Sequence, residues 1–374
     1  MEWTLLETEA DLAPLIDLIN QVDTIALDLE ADSLHHYHSK ICLIQITVKN
    51  QHFLIDTLSI KDMSSLLSAI QDKLILAHGC DYDLRMMNQH WNFIPSKIFD
   101  TMVASRLIGA KAFGLASLAK EFLGMELDKG SQKADWSLRP LPDVMQKYAA
   151  LDTAILHELV DLIQDKLIEL GRLDWAVQSC EHLRISATLP SDKKKDDPWR
   201  VKGSTFLASK ELAILKVTWA FREEIAMDWD QPVFKILSNE KLVQIACSAA
   251  TLESVTFNEL PKMPRNFKGS LIAKFLKIIN DEISGPRDND PSRLKRKPPP
   301  PVSPHPLTLE HVKEQRDLIC SKLELEPTLL ANKLQLVNIS TGSIDSESDI
   351  REGTNLMEWQ YDLLIPKIVG WQPK

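Results

Sequence analysis

Residues 24–34 read TIALDLEADSL, and the way this stretch alternates decides how the first part of the chain folds. Successive side chains of a β-strand point to opposite faces, so Ile25, Leu27 and Leu29 share one face and Ala26, Asp28 and Glu30 the other. The first face is that of a strand packing against a core. The second places two carboxylates side by side. Such a pair is either the wet face of a strand or part of a site, and the segments around it separate the two.

Working outward, ICLIQITV (41–48) and HFLID (52–56) read as two more short strands, spaced for an antiparallel meander with 24–30. A helical pattern, MSSLLSAIQD, follows, then the apolar run KLILAHG and a second helix over 81–91. Beyond KIFDTMVASRLIG, GLASLAKEFLG and the polar loop DKGSQKADWSLRP, one long helix is expected from Pro142 to Leu170, closed by Gly171. Strands first, then strands alternating with helices, predict an α/β domain with a mixed sheet. From residue 171 on, only helical patterns remain: a charged hinge at 191–200, amphipathic helices over 206–284, a proline-rich basic stretch at 284–306 that reads as a semi-rigid linker, and a last helical unit over 307–374.

A chain of 374 residues is too long for one ordinary core, and 44% hydrophobic with 26% charged residues is a globular composition. It has no apolar run of about 18 residues, and MEWTLLETEADL is acidic where a secretory signal is basic. A cytoplasmic protein without a membrane partner is therefore expected. The five cysteines are odd in number, far apart and without a C-x-x-C pair, which argues against a disulfide framework or a cysteine zinc site. Residues 1–170 carry 14 Lys+Arg against 25 Asp+Glu, a poor surface for phosphate by itself but one that suits carboxylates gathered around divalent cations.

Acids stand at three places where a fold alone does not ask for them. They are Asp28 and Glu30 on the strand, Asp81 and Asp83 where LAHGCDYDLRMM passes into a helix, and Asp152 in YAALDTAIL, four residues after Tyr148 and on the same helix face. Each alone has an ordinary explanation. Asp81 is placed as a helix cap, Asp152 suits a solvated helix, and the HHYH of 35–38 fits a loop better than a zinc site. Together they suggest more, because two cations need carboxylates converging from separate segments.

The set LDLEADS, HGCDYDL and YAALD resembles the three motifs of the DEDD superfamily of 3′-5′ exonucleases, in the variety with a tyrosine four residues before the last acid. ICLIQI after the first motif and DKGSQKADWSLRPLP before the third resemble the ribonuclease D branch. The resemblance covers roughly 20–170 and implies a ribonuclease H-like mixed-sheet exonuclease domain in 1–175. By position it implies Asp28, Glu30, Asp83 and Asp152 as ligands of two divalent cations, Mg²⁺ or Mn²⁺, with Tyr148 as the catalytic tyrosine and Asp81 as the rival of Asp83. In that scheme Asp28 bridges both ions, Glu30 and Asp152 hold the ion of the attacking water, and Asp83 holds the leaving group's ion. Tyr148 orients the water, and nucleoside 5′-monophosphates leave one at a time. His78 is expected to pack or support rather than ligate. In the polar loop, Lys129, Lys133 and Arg139 are expected to meet phosphates, and Trp136 to stack on the substrate or brace the loop.

Residues 211–246 resemble a helicase-and-RNase-D-C-terminal (HRDC) domain, and the segments from PLTLEHVKEQRDLIC to LMEWQYDLL resemble a second, more divergent copy. Two all-α modules, 206–286 and 307–374, joined by the linker 287–306, are thus expected after the exonuclease domain. The branch implies RNA as partner, with 3′ maturation of transfer RNA and other structured precursors as the task of a monomer. A DNA exonuclease and an inactive RNA-binding scaffold are the alternatives. The absence of a polymerase or helicase region counts against the first, and the full set of four acids and a tyrosine against the second.

Overall fold

The computed structural model describes residues 1–128, 130–189, 197–265, 267–288, 290–294, 308–341 and 347–369. Six strands, β1 (Thr4–Leu6), β2 (Thr24–Ala31), β3 (Ile41–Val48), β4 (Gln51–Asp56), β5 (Leu74–Ala77) and β6 (Lys97–Asp100), form one sheet in the order β1-β4-β3-β2-β5-β6. The expected meander is present: β2–β3 and β3–β4 are antiparallel. The pairs β1–β4, β2–β5 and β5–β6 are parallel, so the sheet is mixed.

The alternation in β2 sorts the two faces as its sequence predicts. Ile25, Leu27 and Leu29 are buried with Ile44, Ile46, Val48 and Ile55 under the helices Leu12–Ile19, Ser64–Ile70 and Asp81–Trp91. The opposite face carries Asp28, Glu30, Leu43, Gln45, Thr47 and Leu54, and the helix Asp143–Ala154 covers it with Met145, Ala149, Ala150 and Thr153. Thr47 and Thr153 pin that helix to β3 through a 2.8 Å hydroxyl pair.

The single long helix expected over 142–170 is two helices, Asp143–Ala154 and Leu156–Glu169, meeting at Ile155. The break lets one segment serve two cores. The first helix lies against Leu43 and Leu54, while the second buries Leu156, Leu159, Val160, Ile163 and Leu167 with Leu76, Phe99 and Leu107.

The chain forms two compact units. The first takes in the described residues of 1–31, 41–189 and 298–374, so the helices of 309–369 do not stand apart as a third body. Val312, Cys320, Leu330, Trp359 and Leu364 join the core of Leu107 and Leu156, and Trp359 stacks on Trp175 with ring centroids 5.0 Å apart. Buried Arg172 ties the same region together, donating to the carbonyls of Leu107 and Leu323 at 2.8 Å each.

The second unit, 32–40 with the described part of 190–297, is built on the helices Ser209–Asp228, Asn239–Ala250 and Ser270–Ser284 around Phe221, Ile245 and Phe275. The HHYH segment lies here in a loop. His36 pairs with Asp230 at 2.7 Å, and the Tyr37 hydroxyl donates to Glu223 at 3.1 Å.

One local motif occurs in both units. Arg222 is buried, is followed by an acid it pairs with, Glu223, and donates to the carbonyl of Leu237 at 3.2 Å. Arg316 is buried, is followed by Asp317, which it pairs with at 2.7 Å, and donates to the carbonyl of Ala331 at 2.9 Å. Each arginine thus closes a helix onto the end of a four-residue helix, Val233–Ile236 or Pro327–Leu330.

Candidate active site

Asp28, Glu30 and Asp152 come from two elements, β2 and the helix Asp143–Ala154, and each offers a carboxylate oxygen within 4.8 Å of the others. Among the described residues this is the one group of acids, histidines and cysteines close enough to share an ion. The three side chains are half-buried and line a cleft with Tyr148, His78 and Gly79. Asp83, in the first turn of Asp81–Trp91, is also half-buried and lies near Asp28, outside the tight triad.

The local sequence explains how these groups are held. Asp100 is buried at the end of β6 and caps the helix Thr101–Leu107, accepting from the amides of Met102 and Val103 at 2.8 and 3.0 Å. Its second oxygen accepts from the Cys80 amide at 2.8 Å, which fixes the entry to the helix that carries Asp83. Gly79 takes a positive φ of +67°, which favours glycine, and a Cβ there would also push on the end of the Met102 side chain at 2.8 Å. His78 bonds Thr101 at 2.9 Å, and burial lowers its pKa, as befits a neutral packed imidazole.

Asp81 and Asp83 part company clearly. Asp81 points out and pairs with Arg85, one turn along, at 2.8 and 3.1 Å. Burial, then the charges of Asp28, Asp100 and Asp81, drives the Asp83 carboxyl well above its ordinary value.

The electrostatics of the cluster are those of acids crowded without a counter-charge. Burial pushes Asp28 up to about 7, against a weaker lowering by the Leu29 amide. Burial and then Asp28 push Asp152 up to about 8, opposed by a hydrogen bond from the Tyr148 hydroxyl. Glu30 is raised well above its usual range by burial and then by Asp28, Asp152 and Asp83. Tyr148 is raised further from its ordinary value by burial, then by Asp152 and Glu30. A divalent cation removes this conflict by supplying the missing positive charge, and an all-carboxylate donor set suits a hard ion. The residues present therefore fit such a metal.

The loop residues fare differently. Lys129 lies outside the described residues, and Lys133 is exposed. Trp136 is fully buried against Leu43, Leu54 and Met145, its ring centroid 6.1 Å from that of Tyr148, so it braces the loop and offers no face to a base. Arg139 is a correction to the sequence expectation. Its five N–H groups go to the Asp56 carboxylate and to the carbonyls of Cys42, Trp136 and Leu138, leaving none for a phosphate. Sequence reasoning missed Asp100, for which the only signal was its place one residue before a helix.

The family model described as a 3′-5′ exonuclease matches residues 4–168. A ribonuclease D of Shewanella sp. (strain ANA-3) is 30% identical over 283 residues, covering 74% of this chain and 72% of that protein. Escherichia coli RNase D, solved as an exoribonuclease involved in structured RNA processing, shares the fold at TM-score 0.69 and 22% identity, over 99% of this chain and 98% of its own. A protein from Bifidobacterium adolescentis does so at TM-score 0.79 and 22% identity, over 98% and 95%.

Proposed function

This chain belongs to the ribonuclease D family, and on that premise we propose that Asp28, Glu30, Asp83, Tyr148 and Asp152 are the catalytic set with which it shortens RNA from the 3′ end. It is a 3′-5′ exoribonuclease, a metal-dependent phosphodiester hydrolase. The observation that carries the site assignment is the meeting of Asp28, Glu30 and Asp152 within 4.8 Å at the wall of the cleft.

The four acids would hold two Mg²⁺ or Mn²⁺ ions. When bound, these supply a water activated near neutral pH and charge stabilisation for the departing 3′ oxygen. Asp28, Glu30 and Asp152 would hold the cation on the side of the attacking water, and Asp28 with Asp83 would hold the cation on the side of the leaving group. Tyr148 is the wrong group for a base, because its pKa moves further from neutrality. Its hydroxyl orients the attacking water instead, held in turn by Asp152. Each cycle releases one nucleoside 5′-monophosphate.

Lys129 and Lys133 are the proposed loop contacts to substrate phosphates, the second being exposed. The paired Arg222 and Arg316 motifs support reading 206–286 and 307–374 as two HRDC-type modules joined by 287–306, with the second packed into the exonuclease unit. The proposed task is 3′ maturation of transfer RNA and other structured precursors, by a monomer in the cytoplasm. No described helix is long and apolar enough to cross a membrane. A circular RNA and its linear form test the end requirement. With Mn²⁺ the linear form is expected to shorten and the circle to survive; a cut circle would overturn the exonucleolytic assignment.

A further inference from the structure

Strand β3 carries one side chain that its own packing does not explain. All of Ile41–Val48 is buried. The residues other than Gln45 are apolar, except Thr47, which bonds Thr153 at 2.8 Å and His52 at 2.9 Å. Gln45 has no exposed surface, and neither its Nε2 nor its Oε1 has a partner among the described residues. An amide buried in this way is costly, whereas Met or Leu of similar volume would fill the place without an unpaired polar group.

The place is specific. Gln45 stands directly across the β2–β3 pair from Asp28, so the two side chains leave the same sheet face with Cβ atoms about 4.5–5.5 Å apart. On its other side Gln45 faces Leu54, and Leu43, Leu54, Trp136, Ala149 and Ala150 close the layer against water. The Trp136 indole N–H in this layer also lacks a partner among the described residues.

We propose that Gln45 is a positioning residue for the cation site: its amide N–H donates to the Asp28 carboxylate and holds it in the ligating orientation when the site is loaded. The strand thus keeps a buried amide because the carboxylate across from it must be aimed. This rests on Asp28 being a cation ligand.

The test uses the full chain with Gln45→Met and Gln45→Leu, measuring Mn²⁺ affinity by titration calorimetry and melting temperature in EDTA. Removing a group that orients a metal ligand typically weakens affinity about ten- to a hundredfold. That loss is expected here, with melting equal to or above wild type because an unpaired amide is gone. Wild-type Mn²⁺ affinity in both variants would overturn the proposal, and so would failure of both to fold, which would make Gln45 structural. If the wild-type chain itself binds no Mn²⁺, the cation reading of Asp28 fails first, and the role of Gln45 falls with it.

Discussion

Arg139 grips Asp56 with two parallel hydrogen bonds, Nε and Nη2 each 2.6 Å from a carboxylate oxygen, and so locks the loop before the helix Asp143–Ala154 onto the end of β4. Asp56 is 1% exposed. Burial alone would raise its carboxyl, yet the Arg139 hydrogen bonds and charge hold it below the usual range. Arg139→Ala would remove the charge partner of that carboxylate and leave it only the donors from Leu58 and Ser59, which costs at most about 3–5 kcal/mol. Denaturant unfolding of the variant should show a loss of this size. A loss under about 1 kcal/mol, with weaker RNA binding instead, would return Arg139 to the substrate.

Metal-free stability should depend on pH with a definite sign. Asp28 is raised to about 7 and Asp152 to about 8, against about 3.9 for an unfolded Asp. Between about pH 4 and 8 the folded state therefore binds more protons than the unfolded one, and the stability due to these groups falls as pH rises through that window. In EDTA the melting temperature should be lower at pH 8 than at pH 5, and Mn²⁺ should close the gap at pH 8. The depressed Asp56 makes its full contribution above about pH 4. His52 and His78, lowered by burial, oppose the trend at about pH 6.5, so the expected fall is the net of four raised acids over two lowered histidines. A curve that is flat or rising in EDTA would contradict the crowded-acid description.

Tyr148→Phe removes one hydroxyl and keeps the ring against Trp136. A hydrogen bond to a charged group is worth about 1.5–3 kcal/mol, so kcat should fall roughly 10- to 150-fold. Mn²⁺ affinity should change little. Unchanged turnover would remove Tyr148 from the chemistry.

The neighbouring acids of the second motif should behave as opposites. Asp81→Asn breaks only the exposed pair with Arg85, worth about 0.3–0.5 kcal/mol, and should leave turnover intact. Asp83→Asn should abolish turnover while the protein stays folded. Equal effects from both would mean that Asp83 is not distinguished from its neighbour by function.

Much of this was legible in the sequence where one period governs. The two-residue alternation of β2 placed Asp28 and Glu30 opposite the core face, and the four-residue spacing placed Tyr148 beside Asp152. Pairings that only tertiary structure makes were not legible. β1 is three residues long, too short to show a period, and β6 is a four-residue strand that runs straight into a helix. The break at Ile155 has no proline or glycine to announce it and follows from two cores claiming one segment. Arg139 looked like a phosphate contact because its partner, Asp56, lies 83 positions away. Gln45 looked like one letter of a motif until β3 was set beside β2.

Asp28 is proposed as a ligand of cations that drive RNA hydrolysis from the 3′ end, and this role is open to measurement. Its most direct test is the rate of 5′-mononucleotide release from a 3′-labelled RNA in Mn²⁺, for the wild-type chain and for Asp28→Asn, with melting recorded beside it. The wild type should release labelled monophosphate and stop in EDTA. The variant should be slower by about a thousandfold or more, corresponding to several kcal/mol of lost charge stabilisation, and melt at the same or a higher temperature. A folded Asp28→Asn protein that releases mononucleotides at the wild-type rate, or wild-type release that continues in EDTA, would contradict the claim.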